Sequence, residues 1–215
     1  MYRFIIMCGG HYEHFKQHKA LSKINGETLL DRTIRLLKEN GIEEVYISAN
    51  DPVFNKYTNV LHHENTYRYE EGTQKGYWVD AYYPTNEPTI YLHGDVYYTD
   101  DAIKKIINLN PTKNTFIGNQ WALNPEHKKV GEPFGWIIVD TDSFHKAIEE
   151  TKRLQDEGKC DRMPVSWELY EVLNGYNVND FFIDKETYLP IYDETIDIDS
   201  PEQIEELNNK LKENK

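Results

Sequence analysis

The sequence predicts an α/β fold built on a mostly parallel central sheet, and three stretches near the N-terminus carry that expectation. RFIIM (3–7) is a short apolar run followed closely by glycines, which suits a buried strand. GETLLDRTIRLLKENG (26–41) sets Leu29, Leu30, Ile34 and Leu37 at helical spacing. EEVYISAN (43–50) then reads as a second strand. Strand, glycine loop, helix and strand make a βαβ unit. Such units build parallel sheets and place ligand loops at the strands' carboxyl ends.

The remaining elements follow in order. Thr28 with Asp31 resembles a capping box, and Gly41 stops the first helix. TIYLH (89–93) is a strand opening into GDVYYTDDAIKKII, where Thr99 caps a helix with Asp100 and Asp101 in its first turn. NTFIG (114–118) and WIIVD (136–140) read as later strands. SFHKAIEETKRLQDEG (143–158) lines up Phe144, Ala147, Ile148, Thr151 and Leu154 on one helical face. Ser200-Pro201-Glu202-Gln203 supplies an N-cap, a proline at the first helical position and a glutamine at the third. Ile204, Leu207 and Leu211 continue that helix. Residues 60–85 and 155–195 are rich in aromatic and polar groups without good periodicity, and are expected as loops and short elements over the sheet. No repeat or linker divides the chain, so residues 1–215 are expected to form a single domain.

Composition narrows the function. A formal charge of −13 disfavours general nucleic-acid binding, because a negative field repels polyanions. No apolar run has the length of a membrane span, and MYRFIIMCGG turns polar too soon for a signal peptide. Cys8 and Cys160 suggest no disulfide framework. The expectation is a soluble, reduced, cytoplasmic protein with no membrane partner. Oligomeric state leaves no mark in the sequence.

CGGHYEHFKQHKAL (8–21) holds the first chemistry. Gly9 and Gly10 follow a strand, where backbone N–H groups can approach a phosphate because no Cβ intervenes. Lys16 and Lys19 would bring positive charge to the same anion. A plain tight turn accounts for the two glycines equally well. His11, His14 and His18 have zinc-like spacing, but no cysteine or carboxylate pattern accompanies them.

Taken together, GG-(x)8-K-A-L, the run ING-ETLLDR and the strand end ISAN resemble the N-terminal half of the sugar-nucleotide and related nucleotidyltransferases. The glycine-to-lysine spacing is similar to that of the molybdenum-cofactor guanylyltransferases. The back half looks more like the phosphocholine and sugar-phosphate cytidylyltransferases, through HGDVYY, the Trp167-Glu168 pair and DIDSPEQIEEL. The resemblance implies a Rossmann-like, three-layer sandwich of the nucleotide-diphospho-sugar transferase type. It also implies Mg²⁺-dependent transfer of NMP, with CMP favoured, from an NTP to a small phosphorylated acceptor such as a sugar phosphate, phospho-alcohol or phosphonate. Pyrophosphate is the by-product.

The resemblance also assigns residues. Cys8, Gly9, Gly10 and Lys19 fall on the triphosphate loop, Asn50 on the base contact, and Gly72 and Thr73 on a second base-and-ribose loop. Asp95 matches the metal-binding acid, and Asp197 and Asp199 match the acids that complete the metal site or position the acceptor. His14 stands where most members carry arginine, so that Lys19, His14 and Asp95 form the expected catalytic set. Residues from about 120 to 195 would meet the acceptor. Bland roles stay open for several of these: Asn50 suits a turn with Asp51-Pro52, Asp95 a turn cap, and Lys128 and Lys129 a solvated surface. Two other activities share the pattern. One is a glycosyltransferase of the related nucleotide-sugar fold, though its usual D-x-D is G-D-V here. The other is a non-catalytic nucleotide-binding protein.

Overall fold

The computed structural model describes residues 2–9, 15, 17–70, 72–119 and 131–213. Its elements run β1 (Arg3–Met7), β2 (Lys23–Ile24), β3 (Glu27–Thr28), α1 (Leu29–Glu39), β4 (Val45–Ala49), β5 (Val60–His62), β6 (Arg68–Glu70) and β7 (Thr73–Lys75). They continue with β8 (Thr89–His93), β9 (Val96–Tyr97), α2 (Asp100–Asn108), β10 (Thr115–Asn119), β11 (Pro133–Ile138) and α3 (Thr141–Asp156). Last come α4 (Ser166–Leu173), β12 (Tyr188–Ile191), β13 (Ile196–Asp197) and α5 (Pro201–Glu213).

Seven strands form the central sheet in the order β12-β10-β11-β8-β1-β4-β5. β1 pairs in parallel with β4 on one side and β8 on the other, β4 with β5, and β10 with β12. β11 runs antiparallel to both β8 and β10, so the sheet is mostly but not wholly parallel. Side-chain alternation along β1 splits the core. Phe4 and Ile6 face Leu30, Leu37, Ile103 and Ile106 of α1 and α2, whereas Ile5 and Met7 face the aromatic side that holds Tyr91, Trp136, Phe144 and Trp167. Helices on both faces complete the expected three layers.

The helix starts obey local chemistry. Thr28 Oγ1 accepts the Asp31 N–H at 3.0 Å and Thr99 Oγ1 accepts that of Ala102 at 3.0 Å. Ser200 and Gln203 close a reciprocal capping box at 3.3 and 3.0 Å. Gly41, at φ +84°, ends the turn after α1 in a conformation that glycine adopts without steric cost.

The segment 155–195, expected as loops and short elements, contains the helix α4 and the edge strand β12. α4 escapes a periodicity reading because it is buried nearly all round: Ser166, Trp167, Glu168, Leu169, Tyr170 and Glu171 are all inaccessible. Residues 60–85 likewise carry β5, the β6–β7 hairpin and a 3₁₀ turn at Trp78–Ala81. No helix among the described residues is long and apolar enough to cross a membrane.

Candidate active site

The strand order reverses at β1. From β1 the chain winds outward through β4 to β5, then returns to β8 on the other side of β1. In open α/β sheets the crevice beyond such a switch point is where ligands bind. Here it lies past Met7 on β1 and His93 on β8, register partners at the two carboxyl ends. A cavity of about 380 Å³ opens there, lined by Cys8, Gly9, Lys19, His93, Asp95, Asp197 and Asp199 among others.

Each of those side chains is placed by a definite local feature. Gly94 N–H donates to Met7 O at 2.9 Å, which binds the two strand exits together, and Cys8 N–H donates to Ser48 O of β4 at 2.8 Å. A Cβ on Gly94 would stand 2.6 Å from Met7 O and 2.7 Å from Cys8 Sγ, so only glycine lets Asp95 follow β8 this closely against β1. At Gly9, by contrast, a Cβ would meet nothing nearer among the described residues than Asn65 Nδ2 at 4.0 Å. The described residues do not demand that glycine by packing. It leaves backbone open toward the cavity.

The C-terminal acids arrive by a pairing that crosses half the chain. β13 runs antiparallel to β9, with Asp197 opposite Val96, and Ile198 N–H donates to Asp95 O at 3.1 Å. Ile198 itself is fully buried. This ribbon sets Asp197 and Asp199 beside Asp95. Lys19, from a 3₁₀ turn after the glycine loop, reaches into the same cluster and is only 3% exposed. Its Nζ donates to Asp199 Oδ1 at 2.8 Å and to Asp95 Oδ2 at 3.4 Å.

The electrostatics follow. Burial opposes the charge on Lys19, but Asp95, Asp197 and Asp199 outweigh it and hold the ammonium above its ordinary range. Burial, then the neighbouring Asp95, pushes the Asp197 carboxyl well above the usual carboxylate range, with Lys19 pulling against them. Burial and then Asp95 do the same to the Cys8 thiol, which is therefore a poor nucleophile at neutral pH. Burial raises Glu132, which accepts the Asp197 N–H at 3.2 Å.

Asp197 Oδ1 is buried without a hydrogen-bond partner, and three carboxylates face one ammonium. Such a hard, net-negative oxygen cluster fits a divalent cation of the Mg²⁺ type. Among the described residues no three ligating side chains already converge as a cage, and Lys19 Nζ bonds both Asp95 and Asp199. The fit is therefore to a two-carboxylate site completed by oxygens from a ligand.

Of the other residues expected at the site, Asn50 is exposed at the end of β4 and does not line the cavity. Its neighbour Asp51 caps the following 3₁₀ turn and pairs with His18 Nε2 at 2.9 Å. Gly72 and Thr73 lie in the β6–β7 hairpin and line a separate, more open recess with Gln74, Gln155, Cys160, Arg162 and Met163. Trp167 is part of the cavity wall, its Nε1 donating to Gly131 O at 2.5 Å, but its companion Glu168 serves as the capping carboxylate of α4. Gly10, His11, His14, Lys16, Lys128 and Lys129 lie outside the described residues.

The cavity also recruits Asn65, Tyr67, Trp78, His93, Glu132 and Arg162, to which the resemblance assigns no individual role. His93 carried a usable signal, since it sits two residues before Asp95 in the HGD strand exit. Burial holds its imidazole below the ordinary value, Asp95 opposing, so the ring is neutral. Arg162 lies in the aperiodic stretch between α3 and α4 and gave none.

Comparison with known proteins accords with this geometry. A sequence model of the MobA-like NTP transferase domain matches residues 4–158. Among solved structures, the chain is similar to the CTP:phosphocholine cytidylyltransferase of Streptococcus pneumoniae: 14% identity over 97% of this chain and 98% of that one, with a TM-score of 0.55. It is also similar to a 4-diphosphocytidyl-2C-methyl-D-erythritol synthase from Anaerococcus prevotii: 15% identity, 98% and 95% coverage, TM-score 0.60. A 2-C-methyl-D-erythritol 4-phosphate cytidylyltransferase from Thermus thermophilus matches at 10% identity, 98% coverage of both chains and a TM-score of 0.57. At such identities the likeness is one of fold. The family match is the stronger statement, for it covers the glycine loop, Lys19 and Asp95 together: this chain belongs to the family of MobA-like NTP transferase domains.

Proposed function

We propose that the protein is a Mg²⁺-dependent nucleotidyltransferase that moves NMP from an NTP, CTP in the first instance, to a small phosphorylated acceptor. The observation that carries this reading is the meeting of Lys19, Asp95, Asp197 and Asp199 at the switch point of the sheet, beside the open backbone of Gly9. The family match supports the reaction class, and structural neighbours named as cytidylyltransferases support the choice of CTP. In the reaction an acceptor phosphate oxygen attacks the α-phosphorus, the bond from that phosphorus to the bridging oxygen breaks, and pyrophosphate departs with the electron pair.

Gly9 would offer its backbone N–H to the phosphates, and Lys19 a fixed positive charge. Asp95 and Asp197 would hold the cation. Asp197 suits this better than Asp199, because its buried Oδ1 lacks a partner while Asp199 is bonded to Lys19. When bound, Mg²⁺ supplies charge neutralisation across the phosphates. The chain contributes positioning and a partly closed, pre-charged cavity rather than covalent chemistry. The cytoplasm suits both the substrate and the free thiols Cys8 and Cys160.

A screen of the four common NTPs against sugar phosphates, phospho-alcohols and phosphonates, read by pyrophosphate release, tests the proposal. Release should require both an NTP and an acceptor, with CTP preferred. A protein that releases none with any pair, yet binds a nucleotide-sugar, would instead be a glycosyltransferase.

A further inference from the structure

The acceptor brings a problem of charge. A phosphate monoester carries close to two negative charges at neutral pH, and it must enter a cavity already lined by Asp95, Asp197, Asp199 and Glu132. His93 is buried at 5% exposure, with its Nε2 3.4 Å from Ser166 Oγ. Among the described lining residues the cations are Lys19 and Arg162. In the proposed reading Lys19 serves the triphosphate, and it is bonded to Asp199 and Asp95. Arg162 is placed differently.

Arg162 Nε donates to Glu168 Oε1 at 2.5 Å, and Glu168 Oε2 accepts the Val165 N–H at 2.9 Å. Glu168 is 1% exposed, so this carboxylate is a fixed mount at the start of α4. The guanidinium carbon lies 5.4 Å from the centroid of the Phe181 ring, a second support on the flat face. One edge of the guanidinium is thereby held. Among the described residues no acceptor takes the Nη hydrogens of the other edge, and the side chain remains 48% exposed. Arg162 borders both the central cavity and the recess beside Gly72 and Thr73, so a ligand entering from either meets it.

We infer that Arg162 grips the phosphate of the phosphorylated acceptor. The inference rests on the nucleotidyl-transfer reading of the same cavity. A planar fork with two free N–H groups matches the spacing of phosphate oxygens, whereas lysine would offer a point charge on a mobile stem. The Glu168 mount means that this fork is oriented before the acceptor arrives.

The test uses the intrinsic fluorescence of Trp78 and Trp167, both on the cavity wall. The protein is titrated with inorganic phosphate, glycerol 3-phosphate and phosphocholine, each of the last two beside its dephosphorylated alcohol, and separately with CTP and Mg²⁺. Wild type should prefer the phosphorylated members. Arg162→Gln, whose amide can still donate to Glu168, should bind them about 10- to 100-fold more weakly while CTP affinity moves less than about threefold. Arg162→Lys should fall between the two. In turnover, Arg162→Gln should raise the acceptor KM and leave the NTP KM near its wild-type value. No preference for phosphorylated ligands in wild type, unchanged binding in Arg162→Gln, or an equal loss of CTP affinity would each overturn the inference. If the phosphate preference depends on Arg162 but wild type releases no pyrophosphate with any NTP, the transfer reading fails and the anion grip stands.

Discussion

Lys19 shows most sharply how single side chains shape this protein. Its methylene stem is buried and its ammonium lies between carboxylates from two distant parts of the chain, Asp95 and Asp199. In the proposed reading, a triphosphate arriving beside Gly9 would meet a cation that is already desolvated and aimed. Lys19→Ala should weaken NTP binding about 10- to 100-fold, whereas His18→Ala, which removes a pairing with Asp51 away from the cavity, should change it by less than about threefold. Isothermal titration with an NTP and Mg²⁺ checks both. Glu171 makes a different prediction. It has no surface in contact with solvent, and neither carboxylate oxygen has a hydrogen-bond partner. Burial raises its pKa to about 8, with the charges of Asp180 and Glu168 adding to the rise. A carboxyl group whose folded pKa exceeds its unfolded value contributes stability below the unfolded pKa, and that contribution is lost as pH rises through the folded value. Stability should therefore decline from about pH 4.5 to about pH 8 by an amount on the order of 2–5 kcal/mol from this group. Glu171→Gln should flatten that decline, as read by urea unfolding across the range.

Elements differ in how openly the sequence declares them. The caps at Thr28, Thr99 and Ser200 are settled within one helical turn, and their residues announce them. α1 and α2 each present one apolar stripe to the sheet, so their periodicity is plain. α4 has no polar face to contrast with its buried one, and β11 reverses direction without changing its composition. The β9–β13 ribbon joins residues about a hundred positions apart through two short strands, which no local pattern could reveal. For the same reason only the family resemblance points to the convergence of Asp95 with Asp197 and Asp199, and Arg162 falls within the broad 120–195 stretch expected to meet the acceptor without being singled out there. The ribbon's anchor is Ile198, buried with Ile24, Leu29, Tyr97 and Leu207. Ile198→Ala should cost about 2–5 kcal/mol of stability. It should also lower kcat at temperatures far below unfolding, because Asp197 and Asp199 flank the residue that docks their segment. Urea unfolding beside turnover at low temperature separates the two effects.

At the level of the whole molecule, the topology sets the site. Two parallel strand exits meet where the winding reverses, the glycine loop leaves one and Gly94-Asp95 leaves the other, and the C-terminal ribbon closes the acidic side. The net charge of −13 makes this a protein that must build local attraction for anionic substrates against its own field. Lys19, Arg162 and a divalent cation are the means proposed here. Asp95 is common to the strand exit, the lysine pair and the carboxylate cluster, so its removal probes them together. The decisive measurement is ³¹P NMR of the protein with CTP, Mg²⁺ and a pool of phosphate monoesters, in wild type and in Asp95→Ala. Wild type should produce paired diphosphate resonances and pyrophosphate in equal amounts, neither forming when the metal is chelated, while folded Asp95→Ala produces neither. Near-normal product formation by Asp95→Ala, or none by wild type with any NTP, would contradict the account.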